Sequence, residues 1–579
     1  MVSCKLAVLA AWASSAVAAT TTRHAQPACR VLPTDPDWPS VREWDALNAT
    51  VGGRLIRGLP VAHVCYGPQA DAKACSELRD SWRLFDPFLD QPVNVMSEYF
   101  ANKTCTPFVP PADANDTRLC QLGNMASYAI NVSDWRTAAA GVRFARDKNV
   151  RLVVKNTGHD LLGGSQGRGA LALWTHHLKD VDILEQYSSE HYTGPAVKIG
   201  AGVLFQDLYP LAGAAGLRVV GGSCPTIGAN GGWRQGGGHG PLGSAYGLGA
   251  DNTLEFEVVT TDGRHLTASP GENPDLYWAL SGGGAGNWAV VLSAIVKAHR
   301  DGPVTGSRLT VENKDGGEEA YWTLVEEWMR HLLVLETIPG FASEVLLSRQ
   351  SFSLVIATLP GADDVADMTG ALAPLYDTLV RLKMTPVVNE TKVQSSFLDH
   401  YREYLSGVVY TRNVTMGSRL IPRSLVRDPS RLPNLTATLR DVLAHSNASV
   451  ILLGYNVSNR AHGIPPGFNA VTPAWRDSLF LIQLVLAGGD NDDWAKMSQD
   501  MSTVSEWQDR LRQLTPGGGG YINEATIDNS HFKQDYFGGT YRRLRAIKAR
   551  YDPGFVLYSP LGVGSDEYAQ RSDGHFCKV

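Results

Sequence analysis

Short apolar runs alternate with amphipathic stretches between residues 131 and 300. Residues 133–148 place apolar side chains three or four positions apart behind a candidate N-cap, Ser133, and this spacing predicts a helix. The next run, RLVVK at residues 151–155, is short and β-branched, which predicts a strand. Further strands are predicted at residues 170–178, 196–199, 254–261 and 289–297, and further helices at residues 205–215 and 275–280. The pattern is typical of an α+β domain.

The pattern changes after residue 304, where longer helical stretches separate the strand-like runs. Strands are predicted at residues 344–359, 449–456 and 478–487, and helices at residues 317–335, 364–382 and 430–445. Because amphipathic helices must bury one stripe, we expect them to cover one face of an antiparallel sheet. A last helix at residues 536–551 and the flanking segments GGGGYINEA and DPGFVLYSP are expected to fold back on the first domain.

The 579 residues exceed the size at which a single hydrophobic core stops growing, so two main domains are expected. We predict a signal peptide at residues 1–19 and a disulfide-stapled extension at residues 20–112, with short helices at 41–49 and 75–84. The first α+β domain is predicted at residues 113–301, the sheet domain at residues 302–488 and the return segment at residues 489–579.

The first residues, MVSCKLAVLAAWASSAVAA, have one lysine, a short apolar run and small residues before a cleavage point near Ala18 or Ala19. These are the features of a secretory signal, and the apolar run is too short for a comfortable membrane anchor. Glycosylation sequons of the form Asn-x-Ser/Thr occur at Asn48, Asn102, Asn115, Asn131, Asn389, Asn413, Asn434, Asn447 and Asn456. We therefore expect a secreted glycoprotein that does not stay in a membrane after cleavage.

The composition of the chain limits the classes of partner that it can bind. The chain is 44% hydrophobic and 19% charged, as in folded globular proteins, and its net charge is −6. Without a basic block, nucleic acid and acidic membranes are poor candidate partners. The chain contains no CxxC or HExxH motif, so no metal site is expected, and no GxSxG elbow for a serine hydrolase.

Cysteine counting points to a single special thiol. Of eight cysteines, Cys4 leaves with the signal peptide, and six of the other seven can pair in an oxidising compartment. The predicted pairs are Cys65–Cys75, Cys105–Cys120 and Cys29–Cys577. The remaining thiol, Cys224, lies directly before Pro225 in a glycine-rich stretch, and we expect it to be bound to something.

Cys224 belongs to the stretch GGSCPTIGANGGWRQGGGHGPLG, residues 221–243, in which ten of 23 residues are glycine. Glycine disfavours helix and strand interiors and lets the backbone approach a ligand closely. A flexible linker is the alternative, but linkers rarely contain Trp, Cys and His. A second candidate loop, KNTGHD, carries His159 directly after the predicted strand at residues 151–155.

These two loops resemble the flavin-binding segments of the vanillyl-alcohol-oxidase family, which has a PCMH-type FAD-binding domain. The similarity is to its berberine-bridge-enzyme-like branch, including fungal secreted isoamyl-alcohol-oxidase-like and 6-hydroxynicotine-oxidase-like proteins. YGLGADNTLEFEVVTTDG, NPDLYWALSGGGAGNWAVV, YINEA and YRRLRAIKARYDP also match, so the resemblance covers essentially the whole mature chain. It implies a two-domain α+β fold, with FAD bound by the first domain and the return segment, and substrate by the sheet domain.

The resemblance implies that His159 and Cys224 both bond covalently to the flavin. It also implies close contact between FAD and further residues of the same segments. These residues are Lys155, Asn156, Thr157, Gly158, Asp160, Gly200, Gly202, Ile227, Gly228, Gly231, Gly232 and Asn523. Backbone N–H groups of the first loop would surround the pyrophosphate, as an anion requires.

The activity implied is hydride transfer from an alcohol, amine or carbohydrate-type CH–XH group to flavin N5, with O2 as acceptor and H2O2 as product. The resemblance places Ile227 where the family controls access of O2, which leaves oxidase and dehydrogenase both open. Two further functions stay open, namely a cyclising oxidase of secondary metabolism and a flavin-binding glycoprotein without turnover. We expect a monomer with small-molecule partners.

The catalytic base must reach the proton of the substrate X–H group. Tyr521 and His239 are candidates because they lie on or beside flavin segments. Tyr455 and Tyr410 are candidates on predicted strands of the sheet domain.

Overall fold

The computed structural model describes residues 29–68, 70–102, 104–108, 120–314, 316–408, 411–489 and 493–579. The predicted signal peptide, the Asn115 sequon and Tyr410 lie outside these residues. Every helix in the described ranges is too short or too polar to cross a bilayer.

The first sheet of the described chain has four strands, one of which comes from the N-terminal extension. Its strands are β1 Leu55–Arg57, β2 Tyr128–Asn131, β3 Leu152–Lys155 and β4 Leu171–Trp174, in the order β1-β2-β4-β3. Strands β2 and β3 run parallel to β4, and β1 runs antiparallel to β2. The helices of this part are α1 Val41–Thr50, α2 Ala72–Ser81, α3 Asp86–Leu89, α4 Glu98–Ala101 and α5 Trp135–Asp147.

Helix α5 links β2 to β3 and buries its alanine-rich face. The predicted N-cap Ser133 is wrong by one residue. Asp134 is the cap, because its carboxylate accepts the N–H of Thr137 at 2.8 Å while the Thr137 hydroxyl accepts the N–H of Asp134. This reciprocal pair satisfies two N–H groups at the helix start.

The second sheet of the described residues has six antiparallel strands around a long central strand. The strands are β5 Val181–Ser188, β6 Thr193–Gly200, β7 Leu217–Val219, β8 Thr253–Thr260, β9 His265–Ala268 and β10 Ala289–Arg300. The central strand β10 pairs with β6, β7 and β8. The accompanying helices are α6 Phe205–Ala214, α7 Gly232–Gln235, α8 Gly243–Tyr246 and α9 Pro274–Leu280.

The third sheet, which we call the wall sheet, has seven antiparallel strands in the described chain, ordered β14-β11-β13-β12-β16-β17-β15. They are β11 Val304–Glu312, β12 Ala342–Leu347, β13 Ser351–Pro360, β14 Val388–Gln394, β15 Val414–Pro422, β16 Ala448–Tyr455 and β17 Ser478–Ala487. Its helices are α10 Glu318–Leu335, α11 Val365–Ala371, α12 Ala373–Leu382, α13 Phe397–Tyr404, α14 Arg423–Arg427, α15 Leu432–Leu443, α16 Asn459–His462, α17 Ala474–Asp477 and α18 Trp494–Leu514.

Helices α10, α12, α15 and α18 bury one face of the wall sheet in a single hydrophobic core. Leu452 on β16 and Leu484 on β17 point into this core, whereas their neighbours Ile451 and Val485 are half-buried on the opposite face. The predicted antiparallel sheet with helices on one face is therefore confirmed, as is the α+β class. The domain boundaries stay predictions.

The C-terminal segment runs back to the first two sheets. It contains α19 Tyr541–Tyr551 and the hairpin β18 Tyr568–Gln570 and β19 Phe576–Lys578. Leu557 forms a bridge with Leu152 on β3, and the buried Lys548 Nζ donates to the carbonyl of Asn287 at 2.7 Å. The return segment therefore lies beside the loop that follows β3.

The cysteine predictions are confirmed in the described part of the chain. Disulfides join Cys29 to Cys577, Cys65 to Cys75 and Cys105 to Cys120. Cys224 stands outside these three pairs and is buried.

Candidate active site

A cavity of about 500 Å³ lies between the glycine-rich loops, the return segment and the uncovered face of the wall sheet. Most of the sequence-predicted site residues line it. These are Asn156, Thr157, Gly158, His159, Asp160, Cys224, Ile227, Gly228, Gly231, Gly232, His239, Tyr521 and Asn523. Segments nearly 370 residues apart in sequence, which were connected only by resemblance, therefore meet at one cavity.

His159 and Cys224 approach each other through Thr226. The Thr226 hydroxyl lies 2.7 Å from His159 Nε2 and 3.5 Å from Cys224 Sγ. Sequence reasoning missed Thr226, although its position two residues after the special cysteine was a usable signal. The shared hydroxyl brings the imidazole and the thiol to the same part of the cavity wall.

The conformation of the loop after β3 is fixed by Gly158 and by the hydrogen bonds of Asp160. Gly158 has a φ of 88°, a left-handed conformation that favours glycine. The Asp160 carboxylate accepts the N–H groups of Leu162 and Gly163 at 3.0 Å and of Ser165 at 2.7 Å. Because the Asp160 N–H itself donates to the Gly158 carbonyl, it is engaged within the loop and not toward the cavity.

The environment of His159 keeps its imidazole neutral. Desolvation, with a smaller contribution from the nearby Lys155 ammonium, lowers the pKa of His159 to about 3. The Phe85 ring packs against the imidazole with 4.1 Å between ring centroids. A neutral ring nitrogen keeps the lone pair that a bond to carbon requires.

Four predicted residues do not line the cavity. Lys155 is fully buried behind the loop, with Nζ 3.4 Å from the Leu89 carbonyl. Gly200 and Gly202 leave no room for a side chain. A Cβ would lie 2.3 Å from the Leu178 carbonyl oxygen at Gly200 and 2.0 Å from the His176 carbonyl oxygen at Gly202. These two glycines therefore allow close packing of backbone against backbone.

Tyr455 is the fourth predicted residue that does not line the cavity, and it contacts a residue that does. Its hydroxyl donates to Glu344 Oε1 at 2.7 Å, and the Ser223 hydroxyl donates to the same oxygen at 2.6 Å. Glu344 lines the cavity on β12, and sequence reasoning did not single it out. Its signal was a lone charge within the strand sequence ASEVLL.

A second acid–base pair joins the glycine-rich stretch to the return segment. His239 Nε2 lies 2.8 Å from Glu524 Oε1, and both side chains are largely buried at the cavity wall. Glu524 was also missed, although it directly follows Asn523 in YINEA. The Tyr521 ring lies edge-on to His239 with 5.0 Å between centroids.

Tyr521 is poorly placed to accept a proton. Its hydroxyl contacts the carbonyl of Trp233 at 3.3 Å and the amide of Asn523 at 2.7 Å. Burial raises the pKa of Tyr521 well above its ordinary value, and the charge of Glu524 raises it further. The phenol therefore stays protonated and serves to hold Asn523.

Buried polar atoms at the cavity wall indicate a polar ligand. Asn156 Oδ1, Ser165 Oγ, His239 Nδ1 and Glu524 Oε2 have no hydrogen-bond partner among the described residues. Buried polar atoms are normally paired, and a nucleotide cofactor carries hydroxyl, amide and phosphate groups that can pair with them. Gly231 and Gly232 line the same cavity, where a large planar ring needs close access to backbone. The residues present therefore fit FAD.

Comparison with known proteins agrees with this fit. Residues 126–269 match the family described as FAD binding domain, and residues 520–564 match the family described as berberine and berberine like. The chain is 40% identical to the VAO-type flavoprotein oxidase VAO615 of Thermothelomyces thermophilus, over 98% of each chain. It is 37% identical to the bifunctional decalin synthase calF of Penicillium decumbens, over 95% of this chain and 96% of that one.

The fold agrees as well. The crystal structure of the VAO-type flavoprotein MtVAO615 from Myceliophthora thermophila C1 superimposes with a TM-score of 0.90 at 39% identity, covering 95% of this chain and all of that one. Fold, cavity and matches together define an FAD-dependent oxidoreductase with a PCMH-type fold. The chain belongs to the vanillyl-alcohol-oxidase family, in its berberine-bridge-enzyme-like branch.

Proposed function

We propose that this protein is a secreted oxidase that removes hydride from an alcohol, with FAD attached covalently to both His159 and Cys224. The observation that carries the proposal is the shared contact of His159 Nε2 and Cys224 Sγ with the Thr226 hydroxyl. His159 and Cys224 come from loops 65 residues apart in the sequence, and both side chains line the same cavity. A flavin bonded to both is the arrangement that uses them together.

When bound, FAD supplies the acceptor for the hydride that leaves the substrate carbon. Glu344 is the base in this proposal. Ser223 and Tyr455 both donate to its Oε1 and fix the carboxylate, which leaves Oε2 to accept the proton of a substrate hydroxyl. Fixing a general base within hydrogen-bond reach of its proton is the requirement for this chemistry.

The pair His239–Glu524 is the second candidate for the base. With the proton on Nε2 donated to Glu524, Nδ1 is an acceptor that has no partner among the described residues. That nitrogen is buried where the cofactor can pair with it, whereas Glu344 is only half-buried at the cavity wall. Glu344 is therefore favoured, and His239 serves to orient Glu524 beside the cofactor.

Acid precipitation of the purified protein tests the attachment. Flavin that is covalently bound stays yellow in the pellet, whereas dissociable FAD remains in the supernatant. We expect His159→Ala and Cys224→Ala each to retain one bond and hence some pellet colour, and the double variant to retain none. Complete release of flavin from the unmodified protein would remove the covalent part of the proposal.

Kinetics of Glu344→Gln test the base. Loss of a general base lowers kcat by about 10²- to 10⁴-fold, while the isosteric amide keeps the shape of the site. Glu390→Gln, on the outer strand β14, is the matched control and should keep full activity. If His239→Asn lowers kcat by a comparable factor while Glu344→Gln keeps the normal kcat, the base belongs to the pair His239–Glu524.

A cyclising oxidase of secondary metabolism is the alternative activity. It is favoured by the relative whose name is bifunctional decalin synthase, at 37% identity over 95% of this chain. The electron acceptor then distinguishes an oxidase from a dehydrogenase. Stoichiometric H2O2 under air supports the oxidase, whereas reduction of an artificial dye without H2O2 supports a dehydrogenase.

Secretion as a monomeric glycoprotein is part of the same proposal. The three disulfides suit an oxidising compartment. Among the described residues, the exposed sequon asparagines are Asn102, Asn389, Asn434 and Asn447. A mass decrease after enzymatic removal of N-glycans tests this, and Asn456 is expected to stay unmodified because its amide bonds both Arg423 and the Glu336 carbonyl.

A further inference from the structure

The wall sheet presents an aliphatic surface to the cavity opposite the glycine-rich loops. The apolar strand residues of this surface are Leu346, Val355, Val414, Met416, Ile451, Leu453 and Val485. Several of them are only half-buried, although ordinary core residues of the same strands are fully buried. These side chains therefore face open space that a ligand can fill.

Polar groups occupy few positions on this surface. Glu344, Ser449 and Gln483 are the polar side chains that β12, β16 and β17 contribute to it. None of the described residues that the wall sheet contributes to the cavity lining is aromatic. A sugar-binding site needs hydrogen-bond partners for many hydroxyls, because unpaired polar groups are costly to bury. This surface supplies too few of them.

The strand register places aliphatic side chains directly beyond Glu344, with Gln483 opposite Ile451 as a further polar group. Glu344 lies opposite Leu453, and two residues further along, Leu346 lies opposite Ile451. Ser449 lies opposite Val485 on the next strand. Two residues of a strand span about 7 Å, so the aliphatic surface extends at least this far from the carboxylate.

We propose that the substrate is an apolar alcohol, with one hydroxyl at Glu344 and its hydrocarbon part against the aliphatic surface of the wall sheet. This inference rests on the proposed function. Glu344 would accept the O–H proton as the C=O bond forms, and bound FAD would supply the acceptor for the hydride from the carbinol carbon. O2, the proposed electron acceptor, would take up the two electrons and two protons as H2O2, which leaves the carboxylate free again.

A homologous series tests the proposal on the full-length flavoprotein. Primary alcohols from butanol to decanol, and glucose, maltose and chitobiose, are titrated while the flavin absorbance spectrum is recorded. Because burial of a methylene gains roughly 0.8 kcal/mol, we expect Kd to fall by up to about fourfold per added carbon. The sugars should leave the spectrum unchanged up to millimolar concentrations.

Matched variants locate the binding surface. Val485→Thr and Val355→Thr keep the side-chain shape and add a hydroxyl to the aliphatic surface, so each should raise the Kd of decanol by about threefold or more. Val393→Thr on the exposed edge strand β14 is the control, and it should leave that Kd unchanged.

The outcomes separate this inference from the function beneath it. A flavin spectrum that responds to sugars and not to the primary alcohols, or a Kd that does not fall with chain length, overturns the apolar substrate and leaves the flavoprotein oxidase standing. An unchanged spectrum with every alcohol and every sugar overturns the proposed alcohol oxidase as well. A purified protein without flavin absorbance overturns the proposed function itself. Equal effects of Val485→Thr and Val393→Thr would move the binding surface elsewhere.

Discussion

At the scale of single residues, Thr226 holds the proposed attachment site together. One hydroxyl can donate once and accept twice, so it can contact His159 Nε2 and Cys224 Sγ at the same time. Thr226→Val keeps the shape and removes the hydroxyl. We expect a lower fraction of covalently bound flavin in acid-precipitated protein, with bonds to one residue only in part of the sample.

Thr226→Ser provides the control for this prediction. It restores the hydroxyl without the methyl group and should return the pellet absorbance to that of the unmodified protein. Mass spectrometry of flavin-bearing peptides then distinguishes the two bonds. If Thr226→Val incorporates flavin at both residues as completely as the unmodified protein, the positioning role is wrong.

Lys155 is a second residue with a measurable effect, because its burial lowers the free energy of unfolding. Burial lowers the pKa of Lys155 from 10.5 to about 7, against a smaller opposing effect of Asp90. Above pH 10.5 the amine is neutral in both folded and unfolded chains. As pH falls from 10.5 to about 7 the unfolded chain gains a proton that the folded chain does not, so the free energy of unfolding decreases over this range and levels off below it.

Lys155→Met removes this cost. We expect its free energy of unfolding at pH 7 to be higher by on the order of 1–3 kcal/mol, and its dependence on pH between 7 and 10 to be shallower. Denaturant titrations at several pH values measure both. Lys179→Met, which removes a half-exposed lysine, is the control for loss of charge. An unchanged slope in Lys155→Met would contradict the assigned cause.

At the scale of elements, the loop after β3 depends on Asp160. Its carboxylate organises the three N–H groups of Leu162, Gly163 and Ser165, and hydrogen bonds to a charged group are stronger than neutral ones. Asp160→Ala should lower the free energy of unfolding by about 1–3 kcal/mol and reduce the flavin content of purified protein. Asp160→Asn, which keeps an acceptor oxygen, should be intermediate. Full stability of Asp160→Ala would show that the backbone holds the loop without it.

The elements also show what the sequence can reveal. Strand β17 begins and ends where the apolar run predicts, at Ser478 and Ala487, because a strand whose residues are mostly buried needs a nearly continuous apolar run. Strand β14, with the sequence VNETKVQ, escaped prediction because an exposed edge strand carries little apolar signal. Helix α18 was missed for a related reason, since its apolar residues are diluted by polar ones over 21 residues.

The residues of the candidate site also divide into those that the sequence reveals and those that it does not. Local motifs identified His159 and Cys224, because loops rich in glycine carry a strong pattern. Glu344 escaped because its importance comes from Ser223 and Tyr455, which lie 121 and 111 residues away in the sequence. Gly200 and Gly202 were assigned to FAD, although the space they save is taken by neighbouring backbone. Pairings across the fold are invisible to spacing along the chain.

At the scale of the whole molecule, the first described residues are joined to the return segment. The disulfide Cys29–Cys577 spans 548 residues, whereas Cys65–Cys75 spans only 10. Arg30 adds to the closure, because its guanidinium donates to the carbonyls of Gly554 and Phe555 at 2.9 and 2.8 Å. The N-terminal extension thus fastens the return segment to the body.

Removing the long-range disulfide should therefore open the molecule more than removing the short one. Chain-entropy arguments give about 6 kcal/mol for closing a loop of roughly 550 residues and about 3 kcal/mol for a loop of roughly 10. We expect Cys29→Ser/Cys577→Ser to lower the thermal midpoint further than Cys65→Ser/Cys75→Ser does. Because Tyr521 and Asn523 on the return segment line the cavity, limited proteolysis should cleave that segment sooner and flavin fluorescence should rise in parallel. Equal midpoints and equal cleavage rates in the two double variants would show that Arg30 and the return helix hold the segment without the covalent link.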